Sequence, residues 1–294
     1  MDNIDNIVSE ANPNNQTKKF DKSEWVKKKQ EERKSAFDLI EKTATEIVND
    51  SGKFKTYLDV QSRMNKYSVG NALLITAQMP NATQLKEFSD WKEAGAFIKK
   101  NESSIIVLEP GESYTRNNGT QAIYYNPKKM FDVSQTTLTQ NNKFNDYDDK
   151  VKLTAMLKDC PVNIKVVDEI PEMDRVAKWN KQDNILYIKR GCETKNIFKE
   201  LSEELARATL EETEYPSLDN FKCKCISYML CKKYNIDVST FNFDVIPDSL
   251  KNMNSNEIRS ELATMRSAME DINMRMSQHF ENISKKAKTN DLER

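Results

Sequence analysis

Apolar positions recur at three- and four-residue steps along most of this chain and give way to short apolar runs in its middle. In residues 23–49, Trp25, Phe37, Leu39, Ile40, Ala44, Ile47 and Val48 fit helical spacing, with Lys and Glu dense on the other side, and Asn49-Asp50-Ser51-Gly52 stops the pattern. Helices are predicted next over 54–65 and 68–78. The second must end near Pro80, which has no amide donor to continue it. A fourth short helix is expected over 83–94, closed near Gly95. The period then changes. Residues 97–99 and 104–108 read as strands around an Asn-Glu-Ser turn, and Ser104-Ile105-Ile106-Val107-Leu108 is apolar enough for an interior strand ended by Pro110-Gly111. Asn117-Asn118-Gly119 offers a hairpin turn into a strand at 121–125, with one more strand at 130–133.

Residues 1–20 are rich in Asn, Asp and Lys and read as a disordered arm, while 136–149 holds almost nothing that forms a core. The chain therefore divides into a first domain over 21–136, a linker over 137–149 and a second domain over 150–294. The second half begins with a helix at 150–158 and strands at 163–167 and 184–189. Long helices over 193–210 and 220–234 follow, the latter with the stripe Phe221, Cys225, Tyr228, Met229 and Lys232. Residues 238–243 favour neither helix nor strand. A final helix over 256–285 carries Ile258, Leu262, Met265, Met269, Ile272 and Met276 on one stripe, which suits either an adaptable partner groove or, more commonly, ordinary core packing. The fold class that results is α+β, with N-terminal helices packed on a small antiparallel sheet.

The 294 residues include 45 basic and 46 acidic side chains, for a formal net charge of -1. That balance excludes a polybasic protein condensing on nucleic acid over its whole surface and leaves a local basic face open. No apolar run approaches the ~18–20 residues of a membrane span, and the N-terminus has no apolar segment of a secretory signal; a cytoplasmic protein with no membrane partner is expected. Five cysteines, an odd number, read as reduced and structural. The single histidine, His279, has no visible partner and precludes a two-histidine zinc site. Cys223 and Cys225 are two apart on a helix and do not face one another, so with Cys231 they make a poor zinc knuckle. The chain has no P-loop, no GxGxxG and no GxSxG.

Three segments taken together carry a family resemblance: YSVGNALLITAQMPNAT at 67–83, FSDWKEAGAFIKKNESSIIVLEP at 88–110 and FDVSQT at 131–136. In order and spacing they resemble the N-terminal domain of ArdC-type antirestriction proteins and of LtrC-like proteins of conjugative elements, over about residues 35–136. The resemblance implies single-stranded DNA binding. Trp91, Lys92, Lys99 and Lys100 supply an aromatic ring and a positive cluster, the pieces that stacking on bases and phosphate contact need, and Tyr67 and Asn71 of the first segment join them as DNA-binding candidates. From chemistry alone Trp91 equally packs its helix on the sheet, and Lys99-Lys100 equally decorates a solvated hairpin, in which the family's usual Gly-Glu pair is here Asn101-Glu102.

The same resemblance implies a zincin-like second domain related to the ImmA/IrrE group. There H-E-x-x-H sets two imidazoles one turn apart on a metal, with the glutamate activating bound water. The matching residues here are Glu203-Glu204-Leu205-Ala206-Arg207. Glu204 stays in register, but Glu203 and Arg207 stand at the histidine positions, and Lys222 falls at the expected third-ligand position. A guanidinium and an ammonium are no zinc ligands, so the motif is degenerate: no metal, no cofactor and no catalytic residue are expected. A salt-bridged cluster is predicted in the old metal cavity, with Glu203 and Arg207 paired at i,i+4 and Lys222 approaching Glu203 or Glu204. The function implied is a non-enzymatic, single-stranded DNA-binding accessory or antirestriction-type protein of a conjugative plasmid or transposon. Its inactive peptidase-like domain would recognise a protein partner or stabilise the fold. Two alternatives are a pure interaction scaffold, with an acidic or neutral surface around Trp91 and a large apolar patch elsewhere, for example along the last helix, and a residual metallopeptidase in which Glu203, Glu204 and another carboxylate or cysteine converge.

Overall fold

The computed structural model describes residues 21–138, 147–170 and 175–292. Its first three helices are each started by a polar cap. Asp21 accepts from the backbone N–H groups of Ser23 and Glu24 at the head of α1 (Lys22–Val48). Asp50 accepts from Lys53 in α2 (Ser51–Arg63), and Ser68 from Asn71 in α3 (Val69–Gln78). Their apolar faces meet through Ile40, Ala44, Ile47, Phe54, Leu58, Leu73 and Leu74, all buried.

The first sheet is antiparallel, in the order β1 (Leu85–Glu87), β3 (Gln121–Asp132), β2 (Ile105–Thr115). Helix α3 closes the outer edge of β2 with two carboxamides. Asn71 donates to the Leu108 carbonyl at 2.9 Å and accepts the Leu108 N–H at 2.8 Å, and Gln78 makes the same pair with Ile106, both at 2.9 Å. Seven residues on a helix return to one face, and two residues on a strand return to one edge, so the spacings mesh and the unpaired strand edge is covered.

The predicted helix over 83–94 is corrected: residues 85–87 pair with β3, and helix α4 spans only Phe88–Glu93. The reason lies in Asp132, whose buried carboxylate accepts the N–H groups of Thr83 and Gln84 at 2.6 and 2.8 Å and holds that segment extended beside β3. The expected strand at 97–99 is an isolated bridge between Ile98 and Thr136. The strands expected at 121–125 and 130–133 are one strand, β3, and Pro110-Gly111 does not end β2. A register shift between Pro110 and Ser113 absorbs the proline, and a Cβ on Gly111 would push aside the Asn126 carboxamide, 2.5 Å away.

The second half contains α5 (Asp149–Leu157), β4 (Asn163–Val167), β5 (Ala177–Asn180), β6 (Ile185–Lys189), α6 (Thr194–Thr209), α7 (Pro216–Lys233), α8 (Asp248–Lys251) and α9 (Ser255–Leu292). Strands β4 and β6 are parallel and β5 is antiparallel to β6, in the order β4-β6-β5. Strand β5, the mostly polar Ala-Lys-Trp-Asn, went unpredicted.

One apolar core runs through both halves. The Ile258 to Met276 stripe of α9 is buried, so it is core and not an open groove. Arg266 donates to the carbonyls of Tyr67 and Asn65 at 2.8 and 3.0 Å, and Tyr228 donates to Asp59 at 2.7 Å, tying the halves with polar contacts as well. The arm at 1–20 and most of the expected linker, residues 139–146, lie outside the described residues. Tyr147 is stacked on Phe280 of α9 with ring centroids 4.3 Å apart. No described helix is long and apolar enough to cross a membrane.

Candidate functional site

The peptidase-like motif lies on α6, against the edge strand β5. Glu204 is fully buried. One carboxylate oxygen receives the Arg175 guanidinium and, at 3.4 Å, Arg207 Nε; the other accepts the Trp179 N–H at 2.9 Å. One turn earlier, Glu200 accepts the N–H groups of Val176 and Ala177 at 2.7 and 3.1 Å. The edge of β5 away from β6 is thus capped by two glutamates of α6. Two guanidiniums and a backbone N–H thus occupy three of the roughly four acceptor sites of the Glu204 carboxylate.

Arg207 also reaches Glu203 at 3.4 Å and Asn220 at the head of α7. The predicted Glu203–Arg207 pair is therefore present. Burial raises the Glu203 carboxyl above its usual range against the pull of Arg175 and Arg207. Lys222 corrects the expectation: its buried ammonium lies 3.2 Å from Asp219 and 3.1 Å from Glu261 of α9, not against Glu203 or Glu204. It is one turn beyond Asp219 on α7, and that near carboxylate, with Glu261 on the helix packed opposite, captures it.

Zinc requires three or four N, S or O donors converging at ~2.0–2.3 Å, and this set does not fit it. Arg207 and Lys222 are cations at two of the expected ligand positions, and both oxygens of Glu204 are engaged by protein donors. Among the described residues no group of three or more His, Cys, Asp and Glu is placed to hold a metal, so the convergence a residual peptidase needs is not found there. Cys223, facing Arg207, is pushed up to about 12 by burial and stays a thiol.

The six DNA-binding candidates are not brought together. Asn71 is buried and committed to Leu108, while Tyr67 is half-buried beside the start of α3. Trp91 is 1% exposed, packed with Ala96 and Val133, and its indole N–H donates to the Phe131 carbonyl at 2.8 Å. The packing alternative for Trp91 is the one observed, and its ring is closed to a base. Lys92, Lys99 and Lys100 are exposed, with Lys99 donating to the Ser134 carbonyl at 2.8 Å, beyond the C-terminal end of β3.

Exposed aromatic surface lies instead on the outer half of the β2–β3 hairpin. Tyr114, Tyr124 and Tyr125 are 37%, 46% and 39% exposed. The Tyr114 and Tyr124 rings stand 4.3 Å apart. Arg33 of α1 holds the guanidinium 5.1 Å from the Tyr124 ring centre and donates to the Tyr125 carbonyl at 2.6 Å. Tyr125, next in the strand and so turned to the other face of the hairpin, lines a cavity of about 290 Å³ with Phe37, Leu108, Arg259 and Arg266. The signal available in sequence was the Tyr124-Tyr125 pair just after the Asn-Asn-Gly turn, where a strand leaves the core.

With this geometry in place, comparison with known proteins decides the character of the first half. Residues 38–162 match the family described as the N-terminal domain of anti-restriction factor ArdC. The match covers nearly all of the expected resemblance and extends it through α5. An uncharacterised Bacillus anthracis protein is 24% identical over a 278-residue alignment, which covers 76% of this chain and 47% of that protein. The chain thus spans about half the length of that relative. The metal-free crystal structure of the antirestriction ArdC protein from plasmid R388 aligns with TM-score 0.52 at 12% identity, over 72% of this chain and 86% of that one. At that identity the alignment speaks for a shared ArdC-like arrangement of the backbone.

Proposed function

We propose that this chain binds single-stranded DNA as an antirestriction-type accessory protein of a conjugative element, and that its second half keeps a peptidase-like helix pair without peptidase chemistry. The observation that carries the reading is the exposed Tyr114–Tyr124 ring pair with the Arg33 guanidinium over Tyr124. Tyrosine rings and a guanidinium on an extended hairpin suit the faces of unpaired bases and the phosphates between them. The ArdC-like match over residues 38–162 supports the antirestriction setting. Engagement of both Glu204 oxygens by Arg175, Arg207 and the Trp179 N–H supports a second half that is not an enzyme and whose cluster holds the fold together. For the scaffold alternative, burial of the α9 stripe removes the last helix as the place of its apolar surface.

The test is a titration of labelled single-stranded DNA with the whole chain at about 50 and about 200 mM salt. Micromolar or tighter binding that weakens with salt is expected. Absence of binding at the lower salt overturns the reading and leaves the protein-binding scaffold in its place.

A further inference from the structure

The cavity beside Tyr125 has a composition that the open tyrosine face lacks. Arg259 and Arg266 of α9 line it seven residues apart, hence on one side of that helix. Among the described residues neither forms an ion pair with a carboxylate. Arg259 makes one contact, to Asn256 at 3.3 Å, and Arg266 uses Nε and Nη2 on backbone carbonyls. In a chain with 46 acidic residues, two unneutralised guanidiniums at one cavity call for an anionic ligand. The opposite wall is aromatic: Phe37 and Tyr125 meet edge to face with centroids 6.2 Å apart. At about 290 Å³ the cavity sits at the small end of ligand pockets, which suits one small flat group with its charge and excludes a stacked, paired duplex.

We propose that this cavity takes a single splayed-out nucleotide of a bound strand, its phosphate between Arg259 and Arg266 and its base against Tyr125 and Phe37, while neighbouring nucleotides run over Tyr124 and Tyr114. The inference rests on the single-stranded DNA reading and deepens it: the cavity is what separates single strands from duplex, because only an unpaired nucleotide can turn out of its strand to enter it.

The experiment uses the whole chain and compares affinity for an oligo-dT strand and for a duplex of the same length, with wild type, Arg259→Gln, Ala263→Glu and Tyr124→Ala. Ala263 is exposed on α9 at the cavity, so a glutamate there sets a negative charge at its mouth without removing a hydrogen bond. Arg259→Gln and Ala263→Glu are each expected to weaken single-strand binding about 5- to 10-fold and to leave duplex binding unchanged. Arg259→Gln should also lower the salt slope by about one, as loss of one phosphate contact does. A 2-aminopurine moved along the strand should report one position with a distinct signal in wild type that is lost in Arg259→Gln. Unchanged single-strand affinity in both cavity variants, while Tyr124→Ala still weakens it, overturns the nucleotide cavity and leaves the broader reading standing. A wild type that binds no single strand overturns that broader reading first, and the cavity proposal with it.

Discussion

Glu204 is a fully buried carboxylate with both oxygens already engaged. In a peptidase the glutamate of such a motif needs a free oxygen facing a metal-bound water; here both oxygens are engaged by Arg175, Arg207 and the Trp179 N–H in a fully buried position. Removing the carboxylate strands two partly buried guanidiniums. Glu204→Ala is expected to cost about 3 kcal/mol of unfolding free energy, read by urea denaturation. A cost near zero would mean that the cluster is decoration. Glu203 has the opposite sign. Burial raises its carboxyl in the folded chain above the unfolded value near 4.5, so its contribution to stability is fully present below that value and is lost as pH rises through the folded one. Glu203→Gln should therefore be more stable than wild type at neutral pH, with the difference vanishing below about pH 4. A Glu203→Gln variant less stable than wild type at neutral pH, with the deficit closing on acidification, would mean that the ion pair with Arg207 outweighs burial. The sequence alone exposed the Glu203–Arg207 pair, because i,i+4 spacing of opposite charges defines it. It did not expose Arg175, which is distant along the chain and reaches Glu204 only because β5 lies against α6.

At the scale of elements, helices were legible where caps and period agree, as with Ser68 and Pro80 around α3. Strands were less so. Residues 83–94 carry enough helix formers to read as one helix, but the tertiary hydrogen bonds of Asp132 draw the first part into the sheet. The FDVSQT segment that carries the family resemblance is accordingly a structural hub: Asp132 and Gln135 form a capping box around Val133–Gln135, and Gln135 donates to the Ser103 carbonyl at 2.8 Å. Trp91 joins the same hub through Phe131. The carboxamide clamps of α3 on β2 were also hidden, since nothing in the local pattern says that Asn71 in the first turn and Gln78 at the last position reach a strand 37 and 28 residues on. Gln78→Ala leaves the Ile106 N–H and carbonyl without that partner and is expected to cost about 2 kcal/mol in chemical denaturation. Loss below about 0.5 kcal/mol would show that water replaces the clamp.

The whole molecule is held by a core that crosses the midpoint of the chain, with α9 lying against helices of both halves. Heating should therefore give one cooperative unfolding transition reported alike by near- and far-ultraviolet circular dichroism. Two resolved transitions would restore the picture of separately cored domains on either side of 137–149. That continuity also places the C-terminal arginines Arg259 and Arg266 beside Tyr125 of the ArdC-like segment, a juxtaposition no local pattern predicts. The measurement that bears most directly on the account is a paired titration of labelled single-stranded DNA with wild type and with the Tyr114→Ala/Tyr124→Ala double variant. Base stacking worth ~1–3 kcal/mol per ring predicts that the variant binds at least about 10-fold more weakly while its melting temperature stays within about 2 °C of wild type. Equal affinity of the two proteins would contradict the account.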